Sequence, residues 1–223
     1  MSREIIALVV GALILGPAAA QATIIDGSFS GTLSSGTDFS GVFGDTPGSD
    51  LTNDAITGTF VYDTSLLSQV VSGSQNTATG TGLGALTVTI TINGTNYTFT
   101  DNTSSSVFVD DSASEVTIQN ANSTGGHTDN FSLDAEDIIT PFITSTDLTQ
   151  TFSTSDPSLS STGSFFISDT GPTNTAGGAF TISTISTTTG SSGPSPTPEP
   201  ASMAVLAVGL AGIAGARRRR AKA

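Results

Sequence analysis

The chain has 223 residues, a formal net charge of −13 and a sequence pI near 4.1. A chain of this length is expected to form one or two domains. Cys and Trp are absent and His127 is the single histidine. These counts exclude a disulfide, a cysteine-ligated metal centre and any histidine-based catalytic triad that does not use His127.

The basic residues lie only near the two ends of the chain. Between positions 23 and 198 there is no Lys or Arg, whereas the same stretch carries fifteen Asp and two Glu and a formal charge of −17. Such a body repels phosphate backbones, so we expect no nucleic-acid partner.

Residues 1–22 have the three parts of a secretory signal peptide. A short start with one arginine precedes the apolar run 5–16, which is too short to span a bilayer permanently. Ala20 and Ala22 then form the A-x-A pattern that signal peptidase cleaves. We therefore expect signal peptidase to remove residues 1–22, and a buried N-terminal helix is the alternative.

Residues 23–189 show strand periodicity and no convincing helical period. The clearest elements are 86–92 and 95–100, which alternate apolar and polar residues on either side of Asn93-Gly94. This dipeptide is the strongest short signal for a two-residue hairpin turn. The predicted cross-strand pairs are Ile92 with Thr95, Ile90 with Tyr97, and Val88 with Phe99.

Less regular strand candidates fill the rest of the body. Residues 65–82 are polar and glycine-rich, which predicts a loop. About ten short strands with frequent turns favour an all-β fold, an antiparallel β-sandwich or a jelly roll. The further strand candidates are 24–33, 56–63, 106–109, 115–119, 130–133, 138–144, 162–168 and 178–185.

The body offers few groups for catalysis. His127 lies in a polar, glycine-rich segment without a nucleophile motif, and we interpret it as a solvated loop residue. Glycoside hydrolysis needs two carboxyl groups across a cleft, but the body has no Trp, Lys or Arg to hold a sugar. We therefore expect no enzymatic activity and no catalytic residue. The carboxylate pairs considered are Asp110-Asp111, Glu136-Asp137, and Asp50 with Asp54.

Calcium is the alternative that the acidic turns leave open. Hard cations prefer oxygen ligands, and extracellular modules bind Ca²⁺ at roughly 10⁻⁴–10⁻³ M. No calcium-loop spacing is present, so solvated turns are the simpler interpretation, and no cofactor is predicted. The calcium candidates are Asp110, Asp111, Asp134 and Asp137.

The C-terminal segment has three consecutive parts. A Ser/Pro/Gly linker over 190–197 precedes the sequence Pro198-Glu199-Pro200. An apolar helix is then predicted over 201–216, and at 1.5 Å per residue it reaches about 24 Å, slightly less than a hydrocarbon core. The positive-inside rule keeps the cluster that follows in the cytoplasm and leaves the body outside it. That cluster is Arg217, Arg218, Arg219 and Arg220.

This order of linker, Pro-Glu-Pro, short apolar helix and arginine cluster resembles the PEP-CTERM sorting signal of Gram-negative bacteria. The Ser/Thr/Gly-rich body, for example residues 37–44 and 58–64, is similar to the exoproteins that carry this signal. The resemblance implies a transient inner-membrane anchor over 198–223 and cleavage by exosortase, a membrane protease. It also implies release to the cell surface or an extracellular polysaccharide matrix. An ordinary C-terminal membrane anchor is the alternative.

The sequence therefore predicts a non-enzymatic exported surface or matrix protein associated with exopolysaccharide and biofilm. One alternative is a carbohydrate-binding module that attaches to exopolysaccharide, and a further alternative is a glycoside hydrolase. The position of the aromatic rings separates the first two interpretations. Tyr62, Tyr97 and Phe rings in line on an outer face would favour sugar binding, whereas buried rings would favour a structural role.

Overall fold

The computed structural model describes residues 23–82, 84–100, 103–124, 126–156, 158–168 and 175–190. The predicted signal peptide, the linker beyond residue 190, the Pro-Glu-Pro sequence and the apolar helix lie outside the described residues. Within the described ranges the chain forms thirteen strands and a 3-10 turn over Thr64–Leu66. The strands are β1 Ile24–Asp38, β2 Ser49–Asp50, β3 Ala55–Asp63, β4 Ser68–Ser72, β5 Gln75–Gly80, β6 Leu86–Ile92, β7 Thr95–Thr100, β8 Ser104–Asp110, β9 Glu115–Thr124, β10 His127–Glu136, β11 Ser153–Thr154, β12 Ser160–Ser168 and β13 Thr175–Thr189.

The strands pair antiparallel in one continuous sheet. Its order is β4-β5-β8-β9-β10-β12-β13-β1-β3-β6-β7, with β2 paired to β1 and β11 paired to β13. The sheet curls into a half-barrel, so that β7 comes against β9 and β10. The antiparallel all-β prediction is confirmed. The described strands join in one sheet, however, and do not separate into the two sheets of a sandwich, because β13 pairs with both β12 and β1.

The pairing of β1 with β13 contains two irregularities that let the sheet bend, with one extra residue in each of the two strands. The register shifts between Ser30 and Gly31 and again between Leu33 and Ser35. Each extra residue bends the strand and increases its local twist. The two shifts lie near the middle of the sheet, where the curl brings the two halves together over one core.

Phenylalanine rings line the inside of the curl. Phe131 of β10 lies 5.8 Å from Phe29, 5.6 Å from Phe99 and 6.0 Å from Phe180, measured between ring centroids. All four side chains are buried. These rings come from β1, β7, β10 and β13, so they connect both halves of the sheet through one apolar cluster.

Two glycines make room for rings that lie across neighbouring strands. Gly27 pairs with Phe60 and Phe29 pairs with Gly58 in the β1–β3 register. A Cβ built on Gly27 would lie 2.0 Å from Cζ of Phe60, and one built on Gly58 would lie 2.3 Å from Cζ of Phe29. Each ring therefore covers the backbone of the opposite glycine, an arrangement known to offset the weak strand propensity of glycine.

The predicted hairpin forms with the predicted register. Strands β6 and β7 pair through Ile92 with Thr95, Ile90 with Tyr97, and Val88 with Phe99. Asn93 and Gly94 have φ of 51° and 78°, the positive values that both central residues of a type I′ turn require.

Two local predictions were wrong. Residues 65–82 contain β4 and β5 where we predicted a loop. They are strands because β5 pairs with β8 along its whole length and buries Ala78 in the core. Residues 138–144 contain no strand. The carboxylate of Asp137 accepts the backbone N–H groups of Ile139 and Thr140 there and forms a turn.

Hydroxyl groups pair across strands on the outer face. The Oγ of Ser28 lies 3.0 Å from Oγ of Ser186, and Oγ of Ser30 lies 2.7 Å from Oγ1 of Thr184. In the hairpin, Thr89 and Thr98 are joined in the same way at 3.0 Å. Threonine suits these positions because its β-branched side chain packs well on a half-exposed strand.

Candidate functional site

The residues predicted for export and sorting lie outside the described residues. They are Ala20, Ala22, Pro198, Glu199, Pro200, Arg217, Arg218, Arg219 and Arg220. The structure therefore does not test their roles, which stay predictions. Across the described ranges, no helix has the length and apolar character that a membrane crossing requires.

The calcium candidates Asp110 and Asp137 serve as acceptors inside turns. The Oδ1 of Asp110 accepts the backbone and side chain of Ser112, and Oδ2 accepts the amide of Gln75. These hydrogen bonds hold the pKa of Asp110 well below its ordinary value. Asp137 accepts N–H groups of its own turn and the hydroxyl of Ser158. The oxygens of both residues are engaged by the chain itself.

Asp134 is placed differently. Its Oδ1 is buried without a hydrogen-bond partner among the described residues. Burial raises the pKa of Asp134, and the charge of Glu136 raises it further. Burial also raises the pKa of Glu115, which pairs with Glu136 across β9 and β10. Asp111 lies in the β8–β9 turn. In the part of the chain that the structure describes, no three acidic or histidine side chains converge on a metal site. Calcium binding stays an untested alternative.

His127 is not the isolated loop residue that we expected. It begins β10, and its Nε2 lies 2.8 Å from Oδ2 of Asp129. The hydroxyl of Tyr97 donates to the same oxygen at 2.6 Å. Tyr97, His127 and Asp129 thus form a cluster that joins β7 to β10, where the curl of the sheet brings these two strands together. Sequence analysis missed it because Tyr97 is distant along the chain from the other two residues.

One concave feature of the described residues is a groove on the outer face of the sheet. It encloses about 750 Å³, within the range of roughly 300–1,000 Å³ that is usual for ligand sites. Strands β5, β8, β9, β10 and β12 form its floor, and Leu66 and Ser68 lie at one side. We call it the serine–glutamine groove.

The strand register places the polar side chains of the groove in one row. Each pairs with the next across a neighbouring strand, and all are exposed or half-exposed. Six strands spaced by about 4.8 Å give the row a length of about 24 Å. The row is Ser68, Thr79, Ser106, Gln119, Ser132 and Ser164.

A second row beside it ends on an aromatic ring. Ser104, Ala121, Asn130 and Phe166 pair in succession across β8, β9, β10 and β12. The side chain of Phe166 is 43% exposed. None of the described residues that line the groove is charged. Sequence analysis missed this site because alternating Ser, Thr and Gln is also the ordinary pattern of a solvated strand face.

The aromatic residues that would have indicated sugar binding lie mostly inside. Tyr62 is buried and donates its hydroxyl to the carbonyl of Leu148. Tyr97 is half-buried and packs edge-on against Phe99 with ring centroids 4.9 Å apart. Tyr62 and Tyr97 therefore do not form the outer-face line of rings that would have favoured sugar binding.

Comparison with known proteins identifies the C-terminal segment. The family described as PEP-CTERM protein-sorting motif matches residues 196–220, which include Pro198-Glu199-Pro200, the apolar run and the arginine cluster. No curated protein and no solved structure gives a significant match. The resemblance drawn from the sequence is thus confirmed over this segment. The chain carries a PEP-CTERM protein-sorting motif, the signal that marks a protein for export and for processing by exosortase.

Proposed function

We propose that this chain is a non-enzymatic protein of the cell surface or extracellular matrix, released from the membrane by exosortase. The observation that carries the proposal is the sorting motif over 196–220. A signal peptidase site at Ala20 and Ala22 completes the route, because it frees the body on the far side of the inner membrane. The inner-membrane anchor is transient, and the final location is the cell surface or a biofilm matrix.

The placement of most aromatic rings supports a structural role for the half-barrel. Seven phenylalanine side chains are buried in its core, and the outer face carries mainly Ser and Thr. Such a surface is well hydrated. Because the body contains no Lys or Arg, it has no permanent positive charges that would bind anionic polymers non-specifically.

The positions of the carboxylates support the absence of catalysis. Asp50 and Asp54 lie on the same short segment between β1 and β3, and Asp50 accepts the N–H of Thr52. Asp110 is engaged by Ser112 and Gln75, and the described lining of the groove contains no Asp or Glu. A glycosidase needs two carboxyl groups facing each other across its substrate cleft.

Processing in the native host tests the proposal. The mature protein in the extracellular fraction should lack residues 1–22 and the arginine cluster when intact mass is measured. A Glu199→Ala variant, or a host without exosortase, should leave the full C-terminal segment in the membrane fraction. Ser28→Ala, which changes a distant outer-face hydroxyl, is the matched control and should be processed normally. Recovery of an extracellular protein that still carries Arg217–Arg220 would contradict the proposal.

A further inference from the structure

We propose that the serine–glutamine groove binds a neutral polysaccharide chain and that this contact retains the protein in the matrix. The inference deepens the proposed function, because it assigns the matrix partner to one face of the half-barrel. It rests on four properties of the groove: its hydrogen-bonding row, its exposed ring, its lack of charge and its length.

The row offers a match to the hydroxyl groups of sugars. A serine hydroxyl both donates and accepts, and the carboxamide of Gln119 supplies two donors and an acceptor. The Oγ of Ser106 lies 3.4 Å from Oε1 of Gln119, which orients the carboxamide along the row. Each sugar hydroxyl also donates and accepts, so a chain lying along the row meets suitable partners at every strand.

The ring of Phe166 supplies an apolar contact for a sugar ring, which the row of Ser, Thr and Gln side chains does not offer. It lies beside Asn130 in the β10–β12 register, and 43% of its surface is exposed. Sugar rings have an apolar face of C–H groups, which packs on an aromatic ring, while the neighbouring amide fixes the orientation of the hydroxyls. The pair of Phe166 and Asn130 is therefore an anchor at one end of the groove.

The charge of the protein selects a neutral chain. No Lys or Arg lies between residues 23 and 198, so the body has no permanently cationic side chain to pair with a uronate, sulfate or phosphate group. Asp134 lies two residues from Ser132 on the same strand face, and Glu136 follows. These carboxylates repel an anionic polymer at the edge of the groove.

The length of the polar row favours the binding of a polymer over the binding of a single sugar. A row of about 24 Å across six strands is longer than one sugar unit, and the groove is open on the outer face of the sheet. Several weak contacts spread along such a row add up for a chain and are lost for a monosaccharide. The groove thus fits the side of an extended chain.

The test uses the purified full chain in a detergent without a sugar headgroup, such as lauryldimethylamine oxide. Isothermal titration calorimetry is carried out with cellohexaose, laminarihexaose and maltohexaose, with hexagalacturonate as the anionic probe. The extracellular polysaccharide of the host, separated into neutral and acidic fractions, is the polymeric probe. We expect the neutral fraction or at least one neutral hexasaccharide to bind and hexagalacturonate to give no heat.

Variants then locate the site. Phe166→Ala and Gln119→Ala should each weaken binding about tenfold, as is typical of the central residues of a binding site. Phe39→Ala removes another exposed ring, outside the groove, and should bind like the wild type. Unchanged circular dichroism and melting temperature verify that the variants are folded.

The proposal is overturned by binding that is insensitive to Phe166→Ala and Gln119→Ala, by preferred binding of the acidic probes, or by the absence of binding to every neutral probe. Self-association through the groove would also overturn the proposal. It would be detected by light scattering as a dimer that becomes monomeric in the Phe166→Ala variant. The groove variants should still be processed by exosortase. A failure of sugar binding is thereby distinguished from a failure of the sorting route.

Discussion

Replacement of Gly27 by alanine probes the contact that joins β1 to β3. The added Cβ would lie 2.0 Å from Cζ of Phe60 and 2.1 Å from its Cε2, whereas carbon atoms in contact prefer about 3.5–4.0 Å. The ring would therefore have to retreat by about 1.5 Å or more. Phe60 is fully buried and stacks on Tyr62 with ring centroids 6.4 Å apart, so it has little room to move.

The expected magnitude follows from two opposing effects. Overpacking a closed core costs about 1–3 kcal/mol, and removing the flexibility of glycine from the unfolded chain returns about 0.4–1 kcal/mol. We expect Gly27→Ala to lower the free energy of unfolding by about 1–2 kcal/mol. For a chain of this size that corresponds to a melting temperature lower by about 2–8 °C. Thermal and urea unfolding followed by circular dichroism measure both quantities.

A double-mutant cycle with Phe60→Leu isolates the contact, since the smaller side chain leaves space for the new methyl group. Gly27→Ala should then cost much less, with a coupling energy of about 1 kcal/mol or more. Gly177→Ala is the matched control, because its Cβ would meet no atom closer than 3.3 Å. If Gly27→Ala were as stable as the wild type, or if the coupling were zero, the assigned role of the glycine–phenylalanine pair would be wrong.

Three further substitutions test buried or half-buried polar groups by urea unfolding, which is repeated at several pH values for the two carboxylates. Hydrogen bonds lower the pKa of Asp110, so Asp110→Asn should be less stable than the wild type at pH 7, and the difference should shrink as pH falls below the ordinary value of 3.8. The pKa of Asp134 is raised from 3.8, so Asp134→Asn should be more stable than the wild type at neutral pH, and this gain should disappear below about pH 4. Tyr62→Phe leaves the carbonyl of Leu148 without its donor and should cost about 1–3 kcal/mol in urea unfolding. The opposite sign in any of the three would refute the corresponding hydrogen-bond or burial assignment.

The β6–β7 hairpin was predictable because its information is local. Asn93-Gly94 fixes the turn, the alternation fixes the faces, and the two agree on one register. The C-terminal motif was predictable for a similar reason, since its parts follow one another directly along the chain. In both cases the residues that matter are neighbours in sequence.

The single curled sheet and the groove could not be predicted in this way. The alternation of apolar and polar residues in β13 does not indicate that this strand pairs with both β12 and β1. The fully exposed strand β4 has no apolar face to reveal it and forms because β5 is already held by β8. The row from Ser68 to Ser164 likewise exists only through the register of six strands, which is a property of the assembled sheet.

The hydroxyl pairs across the outer face have a consequence for the conditions in which this protein works. Contacts such as Ser30 with Thr184 and Thr89 with Thr98 join neutral groups, so dissolved ions do not screen them as they screen an ion pair. Added salt acts mainly on the repulsion among the carboxylates and weakens it. The outer contacts of the half-barrel are therefore as strong in concentrated salt as in dilute salt, which suits the location outside the cell that we propose for this protein.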